Sequence, residues 1–102
     1  MPTPHTPPLK VLRALSKLGD DIYDARKRRK LSATVVAERA FTTRKTLGRI
    51  EKGDPSVSMG IYAAVLNALG LLGELENLAD ASRDDLGLML TSEANKRRNR
   101  ER

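Results

Sequence analysis

Between Thr43 and Lys52 the chain reads TRKTLGRIEK, and the residue types in that stretch set the chemistry open to it. Thr43 and Thr46 bring hydroxyls, Arg44, Lys45, Arg49 and Lys52 bring cations, and Gly48 leaves a gap among them. At helical spacing Leu47 and Ile50 share one side, which leaves Arg44, Lys45, Gly48 and Arg49 on the other. An arginine so placed can bond both major-groove acceptors of guanine, and hydroxyls at a helix start suit phosphate oxygens. The pattern therefore assigns Arg44, Lys45, Gly48 and Arg49 to base edges, the glycine leaving space for a thymine methyl or close backbone approach. Thr43, Thr46, Lys27, Arg28 and Lys52 are assigned to phosphates.

Those residues need a rigid mount. The hydroxyl of Thr43 can cap a helix whose first amides have no intrahelical partners, Gly53 offers a left-handed stop, and Asp54-Pro55 prevents resumption. A helix of about eight residues is unstable alone and has to be packed by its neighbours. Upstream, Val35, Val36, Ala37 and Ala40 form a narrow inward stripe, so Ser32 to Gly53 contains two short helices around a tight break. This is the layout of a helix-turn-helix whose second helix enters the major groove.

A longer helix is expected from Leu9, with Leu12, Leu15, Leu18 and Ile22 completing one buried stripe. Gly19 costs that helix about 1 kcal/mol relative to alanine, which marks a bend or a close helix contact. The helix fades before Leu31 in the run Arg26 to Lys30, readable as a solvated last turn that suits the helix dipole or as a phosphate clamp. Ser58 can start a further helix with Ile61, Val65, Leu66 and Leu69 inward and Gly70 as its stop. Leu71, Leu72, Leu75 and Leu78 then indicate a short fifth helix.

Several ordered motifs resemble the lambda-repressor-like, XRE-type helix-turn-helix family. They are Leu18, Gly19, Ile22 and Arg26; Leu31, Ser32 and Ala37; Thr46, Leu47, Arg49, Ile50, Glu51 and Gly53; then Ser56 and Leu66 to Leu71, a span of residues 16–72. The resemblance implies an all-α fold, a compact five-helix domain, with Arg26 and Glu51 forming an ion pair that ties the first helix to the recognition helix. Two positions depart from the pattern. Phe41 stands where the family has glycine at the first turn position, a substitution that costs about 1 kcal/mol unless the ring is buried, so a packing role is expected. Ala33 replaces a glutamine that commonly contacts a phosphate, and that contact should be missing.

Composition narrows the classes further. A chain of 102 residues with three aromatics suits one helical domain better than a sheet core. Zero cysteines and one histidine remove most thiol and metal chemistry, and no metal site or cofactor is expected. No paired carboxylates, nucleophile with a base, or phosphate-binding glycine loop points to an enzyme. With no apolar run long enough to span a membrane and no signal-peptide pattern, a soluble, cytoplasmic protein is expected. His5 sits in the proline-rich stretch MPTPHTPP without partners, so it reads as an ordinary residue of a flexible arm.

Charge is uneven along the chain. Asp21 to Gly53 holds ten basic residues against four acids, whereas Leu71 to Asn95 holds six acids against Arg83 alone. One region should attract nucleic acid and the other should not. Within the acidic region, Asp84-Asp85-Leu86-Gly87-Leu88-Met89-Leu90 resembles the tail of HipB-like antitoxins, which implies a HipA-like kinase toxin as partner. Leu86, Leu88 and Leu90 alternate like a strand, Leu86 and Leu90 also fit a helix, and the set with Met89 serves equally as a dimer or partner segment or as a flap on its own core.

The expected plan is thus a disordered arm over residues 1–8, a helix-turn-helix domain over 9–79, and a C-terminal extension over 80–102 that ends in a disordered basic tail from Lys96. The expected function is sequence-specific transcription regulation: a homodimeric autorepressor on a palindromic double-stranded operator, and a HipB-like antitoxin of a toxin-antitoxin operon. The alternatives are a stand-alone XRE-type repressor without a toxin partner and a helix-turn-helix used as a protein-interaction module.

Overall fold

A computed structural model of the chain describes residues 6–100, with side chains through Arg98. The described residues are all-helical and divide into two units, the first ending at Leu72 and the second starting at Gly73. The division falls earlier in the chain than the boundary expected after Ala79. Residues 1–5, which hold His5 and most of the expected arm, lie outside the described residues, and Thr6 to Pro8 carry no regular structure.

The first unit holds α1 (Leu9–Arg28), α2 (Ala33–Arg39), α3 (Arg44–Glu51) and α4 (Met59–Ala68). Three of these begin on a hydroxyl: Ser32 Oγ accepts from the Val35 amide at 3.1 Å, Thr43 Oγ1 from Thr46 at 3.1 Å, and Ser58 Oγ from Ile61 at 3.2 Å. Each hydroxyl satisfies an amide that the helix itself cannot. α1 starts without a side-chain cap, behind Pro8, whose carbonyl accepts from Val11 and Leu12.

All four helices stop in the same way. The residue after each C-cap takes a positive φ, 55° at Lys30 and Phe41, 75° at Gly53 and 76° at Gly70. Two backbone bonds then close each end, such as Phe41 N–H to Glu38 O (3.1 Å) and Thr42 N–H to Ala37 O (2.9 Å) at the end of α2. This paired arrangement satisfies carbonyls that would otherwise be orphaned, and it favours glycine at the left-handed position. Only two of the four stops have one.

The core gathers one stripe from each helix. Ile22 and Ala25 of α1, Val36 and Ala37 of α2, Leu47 and Ile50 of α3, and Tyr62, Val65 and Leu69 of α4 are buried together with Ala40 and Val57. Of the expected α1 stripe, Leu12, Leu15 and Leu18 are half-buried and Leu9 is exposed, because the stripe outruns the helices that cover it. Phe41 does not join the core and is 96 % exposed, contrary to the packing role expected of it. The helix stop explains this: its two hydrogen bonds fix the backbone at φ 55°, and the side chain leaves the end of α2 toward solvent.

The second unit comprises α5 (Gly73–Glu76), a 3-10 turn (Ala81–Arg83) and α6 (Asp85–Arg100). α5 is a single turn within the stretch expected as the fifth helix. Asp84 caps α6 by accepting from the Gly87 amide at 3.0 Å, and Asp80 accepts from the Ser82 amide and hydroxyl. The strand-or-helix ambiguity at Leu86 to Leu90 resolves as helix. The basic run from Lys96, expected as disordered, continues that helix through Arg100; no glycine or proline interrupts it after Gly87, and cations suit a helix C-terminus.

Candidate nucleic-acid interface

α3 is mounted on α1 by two glycines and an ion pair. A Cβ on Gly19 would lie 2.6 Å from Ile50 O, 2.7 Å from Glu51 O and 2.8 Å from Gly53 N, all backbone atoms. A Cβ on Gly53 would meet Ser16 Cα and N, each at 2.6 Å. Gly19 is therefore a close helix contact, with two backbones meeting where side chains would hold them apart. Beside it, Arg26 Nε donates to Glu51 Oε2 at 3.0 Å and Nη2 to Oε1 at 3.1 Å, and Nη1 donates to Leu31 O at 3.3 Å. The two side chains are only 7 % and 12 % exposed, so this bidentate pair is little screened by water and fixes the direction of α3. The Arg26 guanidinium also lies 5.2 Å from the centroid of the Tyr23 ring.

With Leu47 and Ile50 fully buried, the opposite side of α3 is left outward. Arg44 and Lys45 are exposed in its first turn, and they form no ion pair among the described residues. A Cβ on Gly48 would meet nothing within 4 Å, so the gap beside them is open. At the entrance to the helix Thr43 Oγ1 accepts from the Thr46 amide and donates to Thr46 Oγ1 at 3.0 Å. That chain of hydroxyls leaves the Thr46 hydrogen free for an outside acceptor. Lys27, Arg28 and Lys52 are exposed as well, Lys27 with its ammonium 5.3 Å from the Tyr23 ring centroid.

Arg49 has a second set of partners that sequence reasoning missed. Its Nε donates to Asp54 Oδ2 at 2.8 Å and its Nη2 to Ser56 Oγ at 2.6 Å, while Ser56 returns its amide and hydroxyl to Asp54 Oδ1. The Ser56 hydroxyl, then Arg49, hold the Asp54 carboxyl down to about 2. From below, the Tyr62 hydroxyl donates to the Asp54 carbonyl at 2.7 Å, and burial holds that phenol above its usual range. The sequence signal was Asp54-Pro55-Ser56 directly after a glycine stop, a turn whose polar side chains bond locally and lie next to the last turn of α3. Arg49 thus offers an outside ligand one edge of its guanidinium.

The turn between α2 and α3 carries the other departure. Phe41 combines a left-handed backbone, which costs a side-chain-bearing residue about 1–2 kcal/mol, with a ring that returns none of that by burial.

A short helix with a capped start, outward cations and a buried back, preceded by a shorter helix and a tight turn, defines the helix-turn-helix class of DNA-binding proteins. The family model described as a helix-turn-helix domain matches residues 17–79, and the chain belongs to that family. Comparison with curated proteins and with solved structures gives no match. Among the described residues no helix is long and apolar enough to cross a membrane.

Proposed function

We propose that the chain is a sequence-specific repressor that binds the operator of its own operon as a homodimer, without catalytic activity. The observation that carries this reading is the first turn of α3, where Arg44 and Lys45 stand outward and unpaired on a helix held by the Arg26–Glu51 pair. In the major groove Arg44 and Lys45 take guanine N7 and O6, Gly48 admits the base edge closely, and Arg49 reaches with the guanidinium edge that Asp54 and Ser56 leave free. Thr43, Thr46, Lys27, Arg28 and Lys52 neutralise or bond phosphates. One such helix reads few base pairs. Two copies on a palindrome combine their contacts about one helical turn apart.

The pairing surface we assign is the start of α6, where Leu86, Leu88, Met89 and Leu90 are all exposed. Apolar side chains clustered in this way favour association. The same exposed set, with its resemblance to HipB-like tails, supports an antitoxin role toward a HipA-like kinase. A kinase encoded next to this chain that copurifies with it would support that role, and a Leu86→Lys, Leu90→Lys variant should then lose the kinase.

The test of the repressor reading is a titration against promoter DNA of its own operon across salt, repeated with Arg44→Ala and Arg49→Ala. The expected result is two protomers per site, a steep salt slope, and a loss of about 1–3 kcal/mol at a base-contacting arginine. Weak binding that ignores both sequence and these substitutions would move the assignment to a protein-interaction module.

A further inference from the structure

We propose that Phe41 is itself a DNA contact, its ring lying against an apolar part of the operator, a thymine methyl or a deoxyribose, beside the base edges taken by Arg44 and Lys45. The proposal rests on the DNA-binding reading above and adds to it a residue that the pattern of charges and hydroxyls does not supply.

Nothing within the fold offsets the strain at Phe41. The four helix stops of the first unit are built alike, and two of them use glycine. Lys30, at a third, exposes a charged side chain that water solvates well. Phe41 alone combines the disfavoured backbone with a large ring that is 96 % exposed. Uncompensated strain of this kind concentrates at functional sites, where a ligand completes what the free protein lacks.

The residue is also well positioned. Phe41 lies two residues before the Thr43 cap and three before Arg44, at the end of α3 that a helix-turn-helix directs toward DNA. Its surroundings suit the same role. The other exposed large hydrophobics of the first unit are Leu9, Val11 and Tyr23 on α1, Met59 on α4, and Leu71. From Ala33 to Glu51, Phe41 is therefore the one exposed large apolar residue, flanked by the exposed Arg39, Thr43 and Arg44. A protein-docking patch clusters its apolar residues. A lone ring among cations and hydroxyls fits nucleic acid, whose methyls and sugars sit between phosphates, and phenylalanine is among the side chains that read the thymine methyl.

The experiment compares the wild-type chain, Phe41→Gly, Phe41→Asn and Arg44→Ala in thermal melting and in operator binding. Glycine and asparagine both accept the left-handed backbone, so neither variant should melt below wild type. Both should lose about five- to tenfold in operator affinity, and Arg44→Ala about tenfold or more. An operator with uracil in place of thymine separates the two sources. If the methyl is the contact, uracil weakens wild type more than it weakens Phe41→Gly; if the sugar is, Phe41→Gly shows the same loss relative to wild type on both duplexes.

Wild-type affinity in both Phe41 variants, with Arg44→Ala weakened, would overturn the contact and leave the DNA reading standing. No operator binding by the wild-type chain would overturn both. A lower melting temperature in both variants would return the ring to a packing role. A shift in self-association with operator affinity unchanged would place it at a protein contact, and either result overturns the proposal.

Discussion

The two ends of α3 are built by opposite rules. At its C-terminal end Gly53 and Gly19 let α1 and α3 meet backbone to backbone, and no side chain is tolerated. At its N-terminal end the turn from α2 has the same left-handed geometry but carries a phenylalanine with open space around its ring. The first end holds the helix in place at the expense of side-chain freedom, and the second exposes a strained residue to whatever the helix meets. A left-handed residue is thus a packing requirement in one place and a surface feature in the other, and only its neighbours tell which.

Substitutions at the mount should have the largest effects. Gly19→Ala drives a methyl into three backbone atoms of α3 and its stop, and Gly53→Ala adds backbone strain to a clash with Ser16. Each should lower stability by about 3 kcal/mol or more in denaturant unfolding, because backbone atoms cannot rotate out of the way. Gly70 has φ 76° but no atom within 4 Å of an added Cβ. Gly70→Ala should therefore lose only the strain, about 1 kcal/mol. Equal losses at Gly53 and Gly70 would break the distinction drawn between the packed and the open stop.

Next in size is the ion pair. Arg26→Ala leaves Glu51 little exposed and without its bidentate partner, and should cost about 3 kcal/mol. The double variant Arg26→Met, Glu51→Leu removes both charges and keeps much of the volume, so it should recover most of that loss in the same unfolding assay. Operator affinity should fall in the double variant all the same. Without the pair, α1 no longer fixes the direction in which Arg44 and Lys45 point. An undiminished affinity would show that the two glycines suffice to aim the helix.

Much of this was legible in the residues. The hydroxyl caps at Thr43 and Ser58, the glycine stops and the inward pair Leu47 and Ile50 are local features, and local chemistry decided them. Gly19 was readable as a bend or a contact, but the choice depended on which backbone came near, and no periodicity carries that. Phe41 departs from the burial its type suggests because the hydrogen bonds that stop α2 set its direction. The helix from Asp85 was ambiguous because Leu86, Leu88 and Leu90 fit the strand period while Leu86 and Leu90 also fit the helical one. Tyr62 does not stand out as core because α4 is apolar nearly all round, and its hydroxyl needs the Asp54 carbonyl, which no helical spacing reveals.

The smallest expected effect concerns the network that holds Arg49. Asp54 is held down to about 2 from an ordinary 3.8, first by the Ser56 hydroxyl and then by Arg49. A carboxyl depressed by folding stabilises the folded state above its unfolded value, and that contribution fades as pH falls from about 3.8 toward 2. Wild type should therefore melt above Asp54→Asn at neutral pH, and the gap should close through that window. Asp80, also lowered, by Ser82, is common to both proteins and cancels in the comparison. Ser56→Ala, which removes the largest cause, should narrow the gap and move its closing to higher pH. If the gap instead stayed constant down to pH 2, Asp54 would not be engaged in solution. Arg49 would then be held by Ser56 alone, and the far end of α3 would present a reading arginine more like the near one.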